Sequence, residues 1–279
     1  YKMKKIFIVI VLFPVFLFPN FIGMNSGARS LAMGNAYTAL SDESIAIFYN
    51  PAGLARINQF HLKVSRQNLF GISDLYSDMI SIALPTPVLR TGFAFQKINL
   101  VDAYSEQIAY LSSAGIIKPN QIPIRFGFSL KYESAKVENY DGAKNPKEFD
   151  LDMGLIVDFN ENLFFGYSMK NILEPKFKFI SDGDKLKTQQ SIGLCYKWRS
   201  AVHFLADHVW TDLDSQWNFG SEIWFFNVFA ARLGLFDESL TAGFGLRTKT
   251  WSVDSAVLSH EELGSTYRIS FGFKYGTQR

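Results

Sequence analysis

Four histidines (His61, His203, His208, His260) and one cysteine (Cys195) are the residues of this 279-residue chain best suited to metal or nucleophile chemistry. Their spacing argues against both. In HFLADH, His203 and His208 lie an odd number of residues apart, so on a strand they face opposite sides and do not share a zinc ion. SHEE at 259–262 brings a serine, a histidine and acids together in sequence, but a catalytic triad is assembled in space, and a polar turn accounts for the cluster. The glycines of GFGLR at 243–247 sit inside an alternating strand, not at the strand-to-helix turn that a phosphate loop requires. No nucleophile elbow points to a hydrolase. A single cysteine forms neither an internal disulfide nor a cysteine metal cluster. The chain reads as having no catalytic site, metal or cofactor.

A different signal stands in AIFYNPAGLARI, residues 46–57. The Asn50 side-chain oxygen can cap a helix, and Pro51 suits the first helical position, where its missing N–H costs nothing. One short helix is expected to end near Tyr49 and another to start at Pro51. Asn50 is the corner between them, because a residue before proline is pushed out of the helical region.

The elements around that corner are strands. Lys4 and Lys5 precede an uncharged run of 13 residues, Ile6 to Phe18, with small residues around Gly23 to Ser26. This is the layout of a secretory signal peptide, and the run is short for a spanning helix and interrupted by Pro14. Residues 1–23 are expected to be the signal peptide with two residues ahead of Met3, cleaved between Asn20 and Ser26. No later run is long enough to cross a bilayer as a helix, so a membrane-embedded mature chain must be a closed barrel. The net charge of +2, spread along the chain, offers no face for nucleic acid.

From Phe60 onward the apolar period is two. In STYRISFGFKYG, Tyr267, Ile269, Phe271, Phe273 and Tyr275 share one face, with Arg268, Ser270 and Lys274 on the other. In IPIRFGFSLKYE the second face carries Arg125, Ser129 and Lys131, and in EFDLDMGLIVDF it carries Asp150 and Asp152. Glycine and serine accompany the charges, as a crowded polar interior requires. The expected fold is therefore an all-β, transmembrane antiparallel barrel of about 14 strands, with Arg125, Ser129, Lys131, Asp150, Asp152, Arg268 and Lys274 facing the lumen. The hairpin over 134–147 should pair Lys131 with Asp150 and Ser129 with Asp152, leaving Leu130 and Leu151 on the lipid side. Long connections near 68–75, 99–103, 134–147 and 171–186 alternate with tight ones, as expected of a barrel with long outer loops and short periplasmic turns.

The stretch GARSLAMGNAYTALSDESIAIFYNPAGLA, residues 27–55, resembles the N-terminal signature of the FadL-like outer-membrane proteins, most closely their shorter PorV/PorQ-type branch. The likeness is carried by Gly27, Ala28 and Arg29, by Met33 and Gly34, by the acidic turn at Asp42 and Glu43, and by Asn50, Pro51, Ala52 and Gly53. HEELGSTYRISFGFKYG, residues 260–276, resembles the last hairpin of that family. Position 35 departs from it, with Asn where a second Gly is frequent. The resemblance implies a plug over 24–58 and a barrel over 59–279, in the outer membrane of a Gram-negative-type bacterium. The partners it implies are outer-membrane lipid and the barrel-assembly machinery that reads the terminal strand.

For function, the resemblance implies passage of small hydrophobic molecules, with an accessory role beside a secretion translocon in type IX protein secretion as the alternative. The chain is much shorter than the FadL fatty-acid channels, which counts against a long-chain fatty-acid role. The motif residues of the plug are expected to be structural. The Asn50-Pro51 corner would turn the plug toward the first strand, and Ala52 and Gly53 would let it approach the wall.

Overall fold

The computed structural model describes residues 26–139, 144–179, 183–199, 201–260 and 264–276. The expected signal peptide and the first two residues of the expected plug lie outside them.

Alternation of large apolar and small or polar residues produces the strands. They are β1 (Phe60–Asn68), β2 (Leu75–Leu84), β3 (Arg90–Leu100), β4 (Tyr104–Ile117), β5 (Ile124–Val137), β6 (Lys147–Asp158), β7 (Leu163–Lys170), β8 (Lys176–Phe177), β9 (Asp184–Lys185), β10 (Gln189–Trp198), β11 (Val202–Trp210), β12 (Ser215–Phe225), β13 (Phe229–Phe236), β14 (Ser239–Arg247), β15 (Trp251–His260) and β16 (Gly264–Tyr275). All but β8 and β9 join one antiparallel barrel of 14 strands, closed by β1 against β16. Closure gives each of these strands a neighbour on both sides, which is what a sheet in hydrocarbon requires. The expected barrel and strand number are therefore found. The β8–β9 pair, two residues per strand, was not expected within 171–186; it is too short to show a period.

The pleat sorts the side chains. On β16, Tyr267 and Ile269 are each 58% exposed on the outside, whereas Arg268 and Ser270 between them are 7% and 1% exposed. The long connections from β5 to β6 and from β7 to β10 leave the same end of the barrel, here the loop end. The opposite, turn end carries tight connections such as the three residues 226–228, where Phe226 and Asn227 both have positive φ (52° and 55°), as the central pair of a tight hairpin turn.

Residues 26–58 fill the interior as a plug. It contains a one-turn helix, α1 (Ala28–Leu31), and two 3₁₀ turns, Ser44–Phe48 and Pro51–Arg56. Tyr37, Leu40, Ile45 and Leu54 within it are fully buried. A wall of side chains would leave no room for this backbone, and the lumen-facing glycines supply that room. Three of the cross-strand pairs are glycine on glycine: Gly127 with Gly154, Gly166 with Gly193, and Gly220 with Gly234. A Cβ at Gly166 would stand 2.5 Å from Thr38 O, and one at Gly220 would stand 2.4 Å from Met33 O.

Candidate functional site

The chemistry of this molecule is concentrated where the plug meets the wall. Asn50 caps the Pro51–Arg56 turn, its Oδ1 accepting from Ala52 N at 3.1 Å. Its amide nitrogen lies within donating distance of Thr38 O (2.9 Å), Leu155 O (3.1 Å) and Tyr167 O (3.2 Å). Leu155 and Tyr167 are ladder partners on β6 and β7, so one plug amide holds both strands of that seam. The ladder there has only six residue pairs and ends at Met153 and Met169.

Pro51 and Ala52 lie against Gly127, where a Cβ would fall 2.4 Å from Ala52 N. Gly53 departs from expectation. Its bare face is turned to Ser41, with a Cβ only 2.1 Å from Ser41 O, so its missing side chain makes room within the plug.

Across the lumen, Arg29 opens a closed ring of alternating charges. It contacts Glu222 on β12 (Nε to Oε1, 2.8 Å), which contacts Arg232 on β13 (2.8 Å). Arg232 contacts Asp254 on β15 (2.9 Å), and Asp254 contacts Lys63 on β1 (2.8 Å). Lys63 pairs with Glu43 of the plug, and Glu43 returns to Arg29 at 3.3 Å. Three cations and three anions are thereby balanced, with the burial cost of each offset by two neighbours. His203 extends the ring through Glu222 at 2.8 Å, and Asp42 extends it through Arg29 at 2.7 Å. Burial works against the carboxylate of Asp42, but Arg29 beside it prevails and holds it at about 2. Against the same burial, Lys63 and Arg29 hold Glu43 well below the carboxylate range.

The remaining motif residues are anchors. Arg268 donates to Gly27 O (3.2 Å), and Ala28 N donates to Ser270 Oγ (2.8 Å). Gly34 has φ 62°, and a Cβ there would stand 2.2 Å from Leu235 O, so both conformation and space demand glycine. Met33, fully buried, rests its backbone on Gly220. Asn35 also has a left-handed φ, 57°, which asparagine tolerates, and its Oδ1 accepts from Tyr49 Oη at 2.9 Å. The departure from glycine at this position is thus accommodated.

A second ionic centre lies under the 171–188 connection. Lys131 and Asp150 are ladder partners, as are Ser129 and Asp152. The Lys131 ammonium is 3.0 Å from Asp152, 3.1 Å from Asp150 and 3.1 Å from Glu133. The two aspartates also accept from backbone N–H groups of Asn171 (2.9 Å) and Leu173 (3.0 Å), tying the connection to the wall where the ladder has ended. At the turn end, Arg125 pairs with Asp158, which also binds Arg56 of the plug at 2.9 Å, and Lys274 lines a cavity of about 360 Å³ with Asp42, Arg56 and His61.

The motif residues singled out in the sequence therefore divide between the Asn50 seam and the Arg29 ring, whereas Lys131, Asp150 and Asp152 form their own centre. Lys63, Glu222, Arg232 and Asp254 were not singled out. The available signal was parity: each is a charge at a lumen-facing position of an alternating strand. His203 points into the lumen, while His208 stacks on Trp217 outside, with ring centres 4.5 Å apart.

Above the plug, at the loop end, lies a cavity of about 280 Å³. Tyr49, Val209, Leu213 and Phe236 give it apolar walls, with Lys170 and Asp207 among its polar lining. Its floor is the plug itself, at Asn35 and Thr38.

Solved structures share this architecture. The Ralstonia pickettii toluene transporter TbuX superposes with a TM-score of 0.67 at 11% identity, over 90% of this chain and 99% of that one. A Pseudomonas aeruginosa FadL homologue gives 0.63 at 10% identity, over 90% and 98%. The CymD monoaromatic hydrocarbon channel gives 0.64 at 11% identity, over 91% and 98%. No family model matches the chain, and no curated protein does. These likenesses show the fold, and the exposed apolar outer faces of the strands suit a closed barrel that spans a bilayer.

Proposed function

We propose that this chain is a barrel without catalytic activity that passes small hydrophobic molecules across the outer membrane, its plug forming the floor of the entry pocket. The observation that carries this reading is the loop-end cavity, open outward, walled by Tyr49, Val209, Leu213 and Phe236 and closed below by the plug. At about 280 Å³ it falls just under the roughly 300 to 1,000 Å³ typical of pockets for drug-sized ligands, which suits a single ring or a short chain. Fold-level likeness to toluene and monoaromatic hydrocarbon channels agrees with this choice, although a fold by itself hosts many functions.

The test is uptake of radiolabelled toluene by cells carrying the full chain in place of their own hydrocarbon channels. Faster uptake than in empty cells is expected, and Val209→Trp, which fills the cavity, should abolish the gain. Uptake equal to that of empty cells would overturn the reading. The alternative, an accessory of type IX secretion of the PorV/PorQ type, is supported by the sequence resemblance over 27–55. It would be favoured by co-purification of the chain with a secretion translocon. Insertion by the barrel-assembly machinery through β16 belongs to the same proposal.

A further inference from the structure

The outward faces of the strands depart from the apolar rule in one sector, and the departure is ordered. Arg66 on β1 is the ladder partner of Asp78 on β2, Asp78 of Lys97 on β3, and Lys97 of Gln107 on β4. All four lie on the lipid side, in phase with the exposed Val64, Ile80, Phe95 and Leu111. A charged row on this face is tolerated only at the height of the headgroups.

Followed the other way from Arg66, the same row turns apolar. It runs through Ile269, Ser255, Phe244 and Ala231 to Ile223, near the turn end of β12. Because the strands tilt, one row thus leaves the outer headgroup level at Arg66 and descends into the hydrocarbon.

That descending part is hollow. A groove of about 880 Å³ starts at Arg66 and Asn68 and continues around the wall to β12. Its floor is made of Ser221, Ala231, Ala242 and Ser255, and its sides of Leu233, Phe244, Tyr267 and Ile269. Four strand intervals separate β16 from β12, roughly 19 Å at about 4.8 Å each, which is the scale of an extended acyl chain.

At the upper edge the charge is unequal. Arg66 faces Asp78 at 3.5 Å and stacks on Tyr76 at 4.3 Å, whereas Lys97 has no ion-pair partner among the described residues. Arg66 stands at the rim of the apolar groove, and Lys97 lies two strand intervals beyond it along the same row, with one carboxylate, Asp78, between them. An amphiphile with an anionic head and an acyl tail matches both the sign and the order of these features.

We propose that the β12–β16 groove with Arg66 and Lys97 is a binding site for one phosphorylated, acylated lipid of the outer leaflet, of the lipid A type. The phosphate meets Arg66 and Lys97, and one acyl chain fills the groove. This rests on the outer-membrane placement with the loop end outward, not on any transported solute.

The experiment uses the full mature chain purified in detergent, with hexa-acylated, bis-phosphorylated lipid A as the probe, read by native mass spectrometry. One lipid A is expected to survive delipidation on the wild type, in preference to phosphatidylethanolamine. The double change Arg66→Gln with Lys97→Gln should weaken retention about tenfold or more. Ala242→Leu with Ser255→Leu, which fills the groove and leaves both cations in place, should weaken it comparably. Folding of each variant is checked by its heat-dependent gel mobility, and the two designs alter different parts of the site, so a folding failure in one leaves the other as the test. Loss of lipid A from the wild type, equal retention by a folded variant, equal retention of phosphatidylethanolamine, or a dimer cross-linked through Ala242 would each overturn the proposal.

Discussion

Arg29 of the plug grips Glu222 of β12 through two parallel contacts, Nε to Oε1 and Nη2 to Oε2, both 2.8 Å long and both buried. The fork of a guanidinium matches a carboxylate in this way, whereas a lysine offers a single point of charge. Arg29→Met should therefore be far more damaging than its loss of volume suggests, because Glu222 and Glu43 lose their shared cation inside the ring. Breaking one side of a buried ion pair costs about 3 to 5 kcal/mol. The expected outcome is faster protease cleavage within the plug while the barrel retains its heat-dependent mobility. Wild-type protease resistance in a folded Arg29→Met protein would show that the plug is held by its apolar packing alone.

The same ring sets a pH response. The Asp42 carboxyl lies below its ordinary value, at about 2, so its contribution is present above the ordinary value near 3.8 and is lost as pH falls through about 2. The plug should stay protected from acid-active protease down to about pH 4 and loosen between there and about pH 2. Arg29→Gln should lower plug protection already at pH 7 and flatten its fall between about pH 4 and about pH 2, because the group that depresses Asp42 is gone. Protease protection that is flat from pH 7 to pH 2 in the wild type would contradict this.

Register is testable at two adjacent residues. Leu130 faces lipid at 44% exposure, and Leu130→Arg places a charge in the apolar belt, at a cost of roughly 2 to 4 kcal/mol near mid-bilayer. Periodicity alone would make Ser129→Arg the harmless control. The structure changes that expectation: Ser129 is 1% exposed, and its Oγ lies 2.7 Å from Ser112 Oγ, so an arginine has no room. Both changes should impair assembly, for different reasons. Ser129→Ala should be mild, and Leu130→Phe should assemble normally. Normal assembly of Leu130→Arg, scored by heat-dependent mobility, would place that face away from lipid.

That pair of residues shows where sequence reading stops. The strands were legible because a period of two is local: the alternation read in STYRISFGFKYG is that of β16, Gly264–Tyr275. Inward charge was legible for the same reason. What parity does not specify is the partner. Lys63 and Asp254 meet across 191 residues only because β1 closes against β16, and Arg29 reaches Glu222 only because the plug lies inside the lumen. Lumen crowding at Ser129 has the same origin. The glycine pairs showed as small residues on the polar face, but their purpose, room for the plug backbone, depends on the plug being there.

Asn50 offers the most discriminating test, because the substitution that keeps its shape should prove worse than the one that removes its side chain. Its amide faces three carbonyl oxygens, on Thr38, Leu155 and Tyr167, and the residue is fully buried. Asn50→Ala removes these contacts and the cap, leaving carbonyls short of donors at about 1 to 3 kcal/mol for each group left unsatisfied. Asn50→Asp keeps the shape and the capping oxygen, but it sets a carboxylate oxygen where the amide donated, against the carbonyls of Leu155 and Tyr167. A buried charge facing acceptors is costlier than a missing side chain. Asn50→Asp should therefore melt at lower temperature than Asn50→Ala at pH 7, and acidification should narrow the gap, since a protonated carboxyl can donate once. If Asn50→Asp proved as stable as wild type, the amide would act only as a helix cap, and the β6–β7 seam would be held by its six ladder pairs alone.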